Sequence, residues 1–241
     1  MSQEIVLAAF YIVILLYSVI IHEVSHGVAA LWLGDATAKY AGRLNLNPMH
    51  HIDPIGSVAV PLVMMFTTGF AFGWAKPVPY NPYNLRDQKW GPALVAIAGP
   101  LSNFSVALIA TILAKVLPVA LAIKFDILQR FIGILGGVGD WSDRWGHLAE
   151  AVAGSGGSIL FGLLIMTIFW NVVLGMFNLL PIPPLDGSKI MYSLFSLRTE
   201  TIIMFEQLGF ILLLLVIFSP LSAPIMAAIN TALNFFFTLA L

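Results

Sequence analysis

The sequence predicts an all-α polytopic membrane protein with about five to six hydrophobic segments. Of its 241 residues, 59% are hydrophobic and only 10% are charged, whereas a soluble domain carries about 25% charged residues. Such a chain cannot cover itself with a water-facing surface, so the lipid bilayer must solvate much of it. Several apolar runs also reach the roughly 20 residues that a spanning helix needs. A soluble globular enzyme is therefore excluded.

Charge and cysteine content narrow the function further. Eleven Lys and Arg against twelve Asp and Glu give a net charge of −1, so the chain lacks a basic field that would attract nucleic acid. It has no cysteine, which excludes disulfides, thiolate metal ligands and cysteine nucleophiles. We expect one membrane-embedded domain over residues 1–241, with the lipid bilayer and no nucleic acid among its partners.

The predicted elements follow from the apolar runs in chain order. These runs lie at 5–33, 55–74, 90–122, 158–180 and 202–241. After the first run, the alternation of residues 38–44 is typical of a short β-hairpin. The polar, glycine-rich stretch 123–157 predicts an extramembrane excursion. The last run breaks at Ser219–Pro220, which predicts two spans or one span and an interfacial helix.

The first run contains His22-Glu23-Val24-Ser25-His26, an HExxH pattern. On a helix, positions i and i+4 share a face and lie about 6 Å apart along the axis, so both imidazoles can bind one metal ion. Zinc suits imidazole nitrogen and leaves a coordination position for water. Glu23 is rotated by about 100° from His22, so it can exchange a proton with that water as a general base.

The position of this pattern inside an apolar run favours a metal site. Ionisable side chains in hydrocarbon cost several kcal/mol unless they are paired or bound to metal. The alternative is a set of polar residues that only hydrogen-bond neighbouring helices. The metal interpretation explains more of the pattern, and we expect one Zn²⁺ per chain.

Two histidines need a third protein ligand, for which the candidates are His50, His51, His147 or a carboxylate. Asp186 is the best placed, because it ends an apolar run in a turn that three prolines keep from continuing as helix. The alternative role for Asp186 is the N-cap of a helix that begins near residue 187.

Three separate segments together resemble the site-2 protease family of intramembrane zinc metalloproteases. They are the HExxH at 22–26, Ala-Gly-Pro-Leu-Ser-Asn at 98–103 and Asn-Leu-Leu-Pro-Ile-Pro-Pro-Leu-Asp-Gly at 178–187. They occur in the family's order, and the resemblance covers roughly residues 5–188. It implies that His22, His26 and Asp186 bind zinc and that Glu23 is the catalytic acid/base.

The resemblance also implies roles for four accessory residues. The family's Gly-x-x-x-Asn falls on Gly99 and Asn103, and its Asn-x-x-Pro falls on Asn178 and Pro181. We expect Gly99, Asn178 and Pro181 to contribute to substrate binding. The amide of Asn103 can donate to the oxyanion of a tetrahedral intermediate, or it can hydrogen-bond a neighbouring helix instead.

The stretches 42–48, 51–54 and 73–77 resemble the minimal bacterial branch of the same family. Compared with longer relatives, the chain leaves no room for a PDZ insertion or a C-terminal CBS domain. The resemblance therefore implies an integral protein of a bacterial cell membrane. It leaves the mode of substrate selection and the oligomeric state open.

The depth of the motifs predicts the path of the chain. His22 and His26 lie late in their helix and Asp186 follows the end of its own, so the two helices should run in the same direction. Simple alternation of four spans would make them antiparallel. We therefore predict that 55–74 is re-entrant and breaks near Pro61 or Gly69, which is tolerated where protein or water covers the backbone.

These observations predict an intramembrane zinc metalloprotease that hydrolyses peptide bonds in or near transmembrane segments of membrane proteins. Zinc would activate the water, and Glu23 would serve as general base. The alternative is an ion-conducting transporter or channel that uses the buried His, Glu and Asp as a relay. A second alternative is a zinc-dependent membrane scaffold without proteolytic activity.

Overall fold

Helices make up the regular structure of the described part of the chain, in which no strand occurs. The computed structural model describes residues 3–60, 62–63, 73–137, 140–195 and 197–241. Its helices are α1 (Gln3–Trp32), α2 (Thr37–Tyr40), α3 (Gly91–Val116), α4 (Leu121–Gly136), α5 (Trp141–Val152), α6 (Gly156–Asn178), α7 (Asp186–Phe195), α8 (Thr199–Ile217) and α9 (Ser222–Ala240). Within those ranges, α1, α3, α6, α8 and α9 are long and apolar enough to cross a membrane. The predicted fold class is confirmed.

The β-hairpin expected at 38–44 is wrong, because this stretch begins with the short helix α2. Asp35 Oδ1 accepts hydrogen bonds from the backbone nitrogen and the hydroxyl of Thr37 at 3.2 and 2.6 Å. Ala41 N then donates to Thr37 O at 2.9 Å. Backbone groups here are thus hydrogen-bonded within the segment itself and not to a neighbouring strand, as the predicted hairpin would require.

The two ends of the predicted re-entrant segment lie side by side. Trp74 N donates to Gly56 O at 3.0 Å, and the hydroxyl of Ser57 donates to Trp74 O at 2.8 Å. A Cβ at Gly56 would overlap the indole of Trp74, so glycine permits the close approach. Residues 56–57 and 74 therefore lie together, as a re-entrant path requires, and the path between them stays a prediction. The expected breaks at Pro61 and Gly69 lie outside the described residues.

The chain forms two compact units. Unit 1 consists of Met1–Ser18, Asn103–Leu174 and Ala223–Leu241, and unit 2 consists of Val19–Ser102 and Gly175–Ser222. An aromatic cluster lies inside unit 1, where the ring of Tyr11 is 4.9 Å from that of Trp170 and 5.5 Å from that of Trp145. Unit 2 contains the HExxH and Asp186.

In unit 2, Asp35 connects the end of α1 to the loop before α3. This fully buried carboxylate accepts from Asn81 N at 2.7 Å and from the side-chain amide of Asn84 at 2.9 Å, in addition to Thr37. Burial alone would raise the pKa of Asp35. The hydrogen bonds from Thr37, Asn84 and Asn81 outweigh burial, so the pKa lies below its ordinary value. One ionised side chain thus holds this loop against α1.

Candidate metal centre

The HExxH places two imidazoles on one face of α1, inside unit 2. The Nε2 atoms of His22 and His26 lie 3.1 Å apart, and the two rings are perpendicular. This closeness follows from the i, i+4 spacing on a continuous helix. The pair therefore presents two nitrogen donors to one point, as the sequence predicts.

Asp186 reaches the same point from the first residue of α7. Its Oδ2 lies 3.1 Å from His22 Nε2 and 3.2 Å from His26 Nε2. The loop that carries Asp186 folds back tightly, since a Cβ at Gly187 would overlap the carbonyl oxygens of Leu179 and Leu180. Only glycine fits there. The proline-rich turn and the glycine after it together position the carboxylate.

The three donor atoms form a nearly equilateral triangle whose size fits a zinc ion. Its sides are 3.1, 3.1 and 3.2 Å. Protein ligands at about 2.0–2.1 Å from a tetrahedral zinc ion lie about 3.3 Å from one another. Two nitrogens and one oxygen are also a donor set that zinc prefers, and such a set leaves a fourth position for water.

The hydrogen bonds around the triangle favour a cation at its centre. Asp186 Oδ2 is buried, and among the described residues it accepts no hydrogen bond of good geometry despite its closeness to the imidazoles. His26 Nδ1 donates to the backbone oxygen of Val95 at 2.8 Å, which leaves the lone pair on Nε2. Lone pairs that converge without protons between them are costly unless a metal ion binds them.

The second oxygen of Asp186 has a different neighbour. Lys189 Nζ lies 3.5 Å from Asp186 Oδ1, one helical turn along α7. The positive charge of Lys189 favours the ionised form of the Asp186 carboxyl. The carboxylate is therefore ionised, as a metal ligand must be.

Gly99 gives α3 access to the imidazole pair. A Cβ at this position would lie 2.5 Å from His26 Cε1 and 2.6 Å from His22 Cε1. Any side chain there would have to displace the rings. The sequence predicts a role in substrate binding for Gly99; the structure adds that it provides the space in which the histidines stand.

Glu23 lies beside the triangle and is held by a backbone group. Its donor atoms and those of His22 and His26 lie within 4.8 Å of one another. Glu23 Oε2 accepts a hydrogen bond from Val78 N at 2.9 Å. Asp186 closes the tighter triangle, so Glu23 lies beside the triangle and is not its third corner. The contact with Val78 joins residues 55 positions apart, and no local pattern in the sequence signals it.

The other histidines that the sequence offers as ligands make contacts outside the triangle. His51 is buried, and its Nε2 donates to Asn45 O at 2.8 Å. The side-chain amide of Asn45 donates to His50 Nδ1, also at 2.8 Å. His147 is exposed in α5 of unit 1, with its Nδ1 3.8 Å from Glu150. In unit 2, the structure thus brings Asp186 and neither His50 nor His51 to the imidazole pair.

Asn103 is fully buried in unit 1 and joins three helices. Its Nδ2 donates to Ser18 O on α1 at 3.3 Å and to Asn171 Oδ1 on α6 at 2.9 Å. Asn171 donates in turn to the Ser18 hydroxyl at 2.8 Å. This network matches the interhelical role that the sequence leaves open for Asn103. Ser18 and Asn171 escape sequence reasoning, although a polar residue inside an apolar run is the signal that points to them.

Asn178 and Pro181 lie where α6 ends. Asn178 is the last residue of this helix and is half-buried, and Pro181 is exposed in the loop that leads to Asp186. Their expected role in substrate binding stays a prediction.

Comparisons with known proteins agree with this site. Residues 10–218 match Peptidase family M50. The chain is 32% identical over 222 residues to YwhC of Bacillus subtilis (strain 168), named as a zinc metalloprotease, and the alignment covers 91% of this chain and 85% of that protein. It is 25% identical over 206 residues to Rip2 of Mycolicibacterium smegmatis, also named as a zinc metalloprotease, covering 85% of this chain and 65% of the relative. No solved structure matches the chain significantly.

The family match extends over both arms of the donor triangle, α1 and α7. It favours the protease over the ion-conducting alternative, and the apolar helices place the enzyme in the membrane. The chain therefore belongs to Peptidase family M50, the site-2 proteases, and is a bacterial integral-membrane zinc metalloendopeptidase.

Proposed function

We propose that the enzyme hydrolyses peptide bonds in or near transmembrane segments of membrane proteins, with His22, His26 and Asp186 as zinc ligands and Glu23 as the general base. The triangle of donor atoms with sides of 3.1–3.2 Å carries this proposal. Its position supports the substrate class, because two corners lie on α1, a helix that can cross the membrane. A site on such a helix suits a substrate that is itself in the bilayer.

Zinc, when bound, lowers the pKa of a water in its open position and polarises the scissile carbonyl. Glu23 accepts the proton that the attacking water loses and delivers it to the leaving amine. The Val78 amide holds Oε2 of Glu23 at 2.9 Å, so Oε1 is the oxygen that transfers the proton. Lys189, next to Asp186 Oδ1, orients that carboxylate so that Oδ2 faces the imidazoles.

The accessory residues complete the proposal. Asn103 Nδ2 now donates to Ser18 O and Asn171 Oδ1. When substrate binds, it gives up one of these acceptors and donates a hydrogen bond to the oxyanion of the tetrahedral intermediate instead. Asn178 and Pro181, in the turn that leads to Asp186, contact the extended substrate backbone. Gly99 keeps the approach to the imidazoles open.

Replacement of Glu23 by glutamine tests the catalytic role. The Glu23→Gln enzyme should fold and bind zinc, because the amide oxygen of glutamine can still accept from Val78 N. It should not cleave a transmembrane test substrate in proteoliposomes, since an amide cannot accept the proton. Glu4→Gln, in the first turn of the same helix, is the matched control and should cleave normally. Chelator-sensitive cleavage by Glu23→Gln would defeat the assignment.

Metal content tests the third ligand separately. Asp186→Ala should lose most of its zinc by elemental analysis of purified protein, because two imidazoles alone hold the ion weakly. Asp143→Ala, an exposed position on α5, should keep wild-type zinc. Unchanged zinc in Asp186→Ala would place the third ligand elsewhere, and His51 would be the next residue to replace.

A further inference from the structure

Helix α4 carries an exposed row of apolar side chains that nothing in unit 1 covers among the described residues. We call Leu121, Phe125, Ile132 and Leu135 the apolar stripe; their exposed fractions are 62%, 53%, 39% and 37%. At about 100° per residue, these four positions fall within an arc of about 80°. Leu128, 5% exposed, falls inside the same arc, so the stripe runs along the edge of the packed face of the helix.

The rest of α4 forms two other faces, of which the packed one meets the stripe at Leu128. One is packed inside unit 1 and consists of Lys124, Ile127, Leu128 and Phe131. The other is polar and borders the stripe on its open side, with Asp126, Gln129 and Arg130. Such a helix suits a membrane surface, where its packed face contacts protein, its apolar face contacts lipid and its polar face contacts water.

Contacts place α4 at the end of a membrane span. Lys124 Nζ donates to Ala114 O at 2.8 Å and to Lys115 O at 3.0 Å, two of the last four carbonyls of α3. These carbonyls have no partner within their own helix, and a cation at a helix C-terminus is favourable. The start of α4 is therefore tied to the point where the spanning helix α3 ends.

The polar face of α4 lies near the start of another span, α6. A cleft of about 440 Å³ between them is lined by Asp126 and Arg130 of α4, Glu150 of α5, Ser155 just before α6 and Ser158 in its first turn. Helix α4 hence lies across the ends of two membrane-spanning helices. With 16 residues it is about 24 Å long, shorter than the hydrocarbon core of about 30 Å, so it does not cross the bilayer itself.

We propose that α4 is an interfacial helix that lies in the plane of the membrane surface, with the apolar stripe among the lipid acyl chains and the Asp126–Arg130 face in water. The occupant of the stripe is the phospholipid bilayer, because α4 is tied to the end of the spanning helix α3, which itself exposes apolar side chains there: Leu113 and Val116 are 49% and 69% exposed. Trp141, 51% exposed at the start of α5, suits the same boundary, where tryptophan is enriched. The proposal does not depend on the catalytic assignments.

The absence of cysteine from the chain allows a direct test by site-directed spin labelling. Phe125→Cys and Ile132→Cys place labels on the apolar stripe, and Gln129→Cys and Gly133→Cys place matched labels on the adjacent face of the same helix. The full-length protein is reconstituted in vesicles of phosphatidylethanolamine and phosphatidylglycerol. Power saturation then compares collisions with oxygen, which concentrates in lipid, and with a nickel chelate, which stays in water.

We expect oxygen accessibility to exceed nickel accessibility several-fold at 125 and 132, and the ratio to reverse at 129 and 133. Equal nickel accessibility at all four positions would put the stripe in water. Shielding of 125 and 132 from both reagents would mean that protein, such as a second copy, covers the stripe. Lipid exposure at all four positions would mean that the whole helix is immersed. Each of these three results overturns the proposal, and wild-type zinc content in each variant verifies the fold.

Discussion

At the scale of single residues, the proposed metal centre is supported by neighbours that contribute no ligand atom. Val95 O accepts from His26 Nδ1, Val78 N donates to Glu23, and Lys189 lies beside Asp186 Oδ1. Each contact engages the part of a functional side chain that faces away from the centre. Such contacts determine tautomer and orientation, and their loss typically lowers metal affinity about 10- to 100-fold.

Gly99 offers the sharpest prediction at this scale. In Gly99→Ala, a methyl group 2.5 Å from His26 Cε1 must push the imidazoles out of the triangle. We expect zinc affinity to fall roughly 10- to 100-fold, measured by competition with a chromogenic chelator, with cleavage falling in parallel.

The matched control is Gly133→Ala on α4, where an added Cβ meets nothing within 4 Å. It should keep wild-type zinc affinity. If Gly99→Ala also bound zinc like the wild type, the space beside the imidazoles would be larger than the structure indicates.

The residue scale also shows the limits of sequence reasoning. The i, i+4 histidines were predictable because a helix places them together whatever surrounds it. Asp186 was predictable from the residues around it, since prolines and glycine mark an irregular turn. The backbone partners at Val78 and Val95 were not, because any residue type can offer an N–H or a carbonyl.

At the scale of elements, buried carboxylates tie the loop before α3 to α1. Glu23 binds it at Val78, and Asp35 binds it at Asn81 and Asn84. Because the first contact holds the proposed base, the second contact helps to keep that base in place. The loop between two spans is thus part of the site's support.

We predict that Asp35→Asn destabilises the protein by about 1–3 kcal/mol, because an amide nitrogen then faces a buried donor and leaves it unsatisfied. Thermal unfolding in detergent, followed by tryptophan fluorescence, measures the loss. Asp143→Asn, which is exposed, should unfold like the wild type.

The pH dependence of the stability difference between the wild type and Asp35→Asn provides a second check. The pKa of Asp35 is lower in the folded protein than its ordinary value, so its stabilising effect is present above the unfolded-state pKa and disappears as the pH falls through the folded-state value. The difference between wild type and Asp35→Asn should therefore shrink below about pH 4. A difference that stays constant from neutral to acidic pH would show that the charge of Asp35 is not what stabilises the loop.

Elements also account for the one wrong prediction of secondary structure. Alternation at 38–44 suggested a hairpin, but residues 37–40 form helix α2, whose first residue Thr37 is bonded to the side chain of Asp35. The hydrogen bonds between Asp35 and Thr37 favour the helical turn, and they outweigh the weak alternation of apolar and polar residues at 38–44. The contact between Gly56 and Trp74 agrees with the return of the chain that the motif depths on either side predict, and the path of 55–74 itself stays a prediction.

At the scale of the whole molecule, zinc would connect α1 to α7, which lie 160 residues apart in the chain from His26 to Asp186. A ligand that binds only the folded state stabilises it, by about 4 kcal/mol when its free concentration is 1,000 times its Kd. We predict that a strong chelator lowers the thermal unfolding midpoint by several degrees and that added zinc restores it.

Asp186→Ala is the control for this experiment. Because it lacks the proposed third ligand, its thermal unfolding midpoint should respond little to chelator or added zinc. An unchanged wild-type midpoint, with elemental analysis proving that the metal was removed, would contradict the idea that the ion connects the two helices.

Local sequence was sufficient to predict the membrane spans and the closeness of His22 to His26. Run length decides whether a helix can cross a bilayer, and helical spacing alone aligns His22 with His26. Only the folded chain revealed that Gly99 makes room for the imidazoles, that Val78 holds Glu23 and that the ends of 55–74 meet at Gly56 and Trp74. These contacts join segments far apart in the chain, and their distances depend on packing, which no local period or motif encodes.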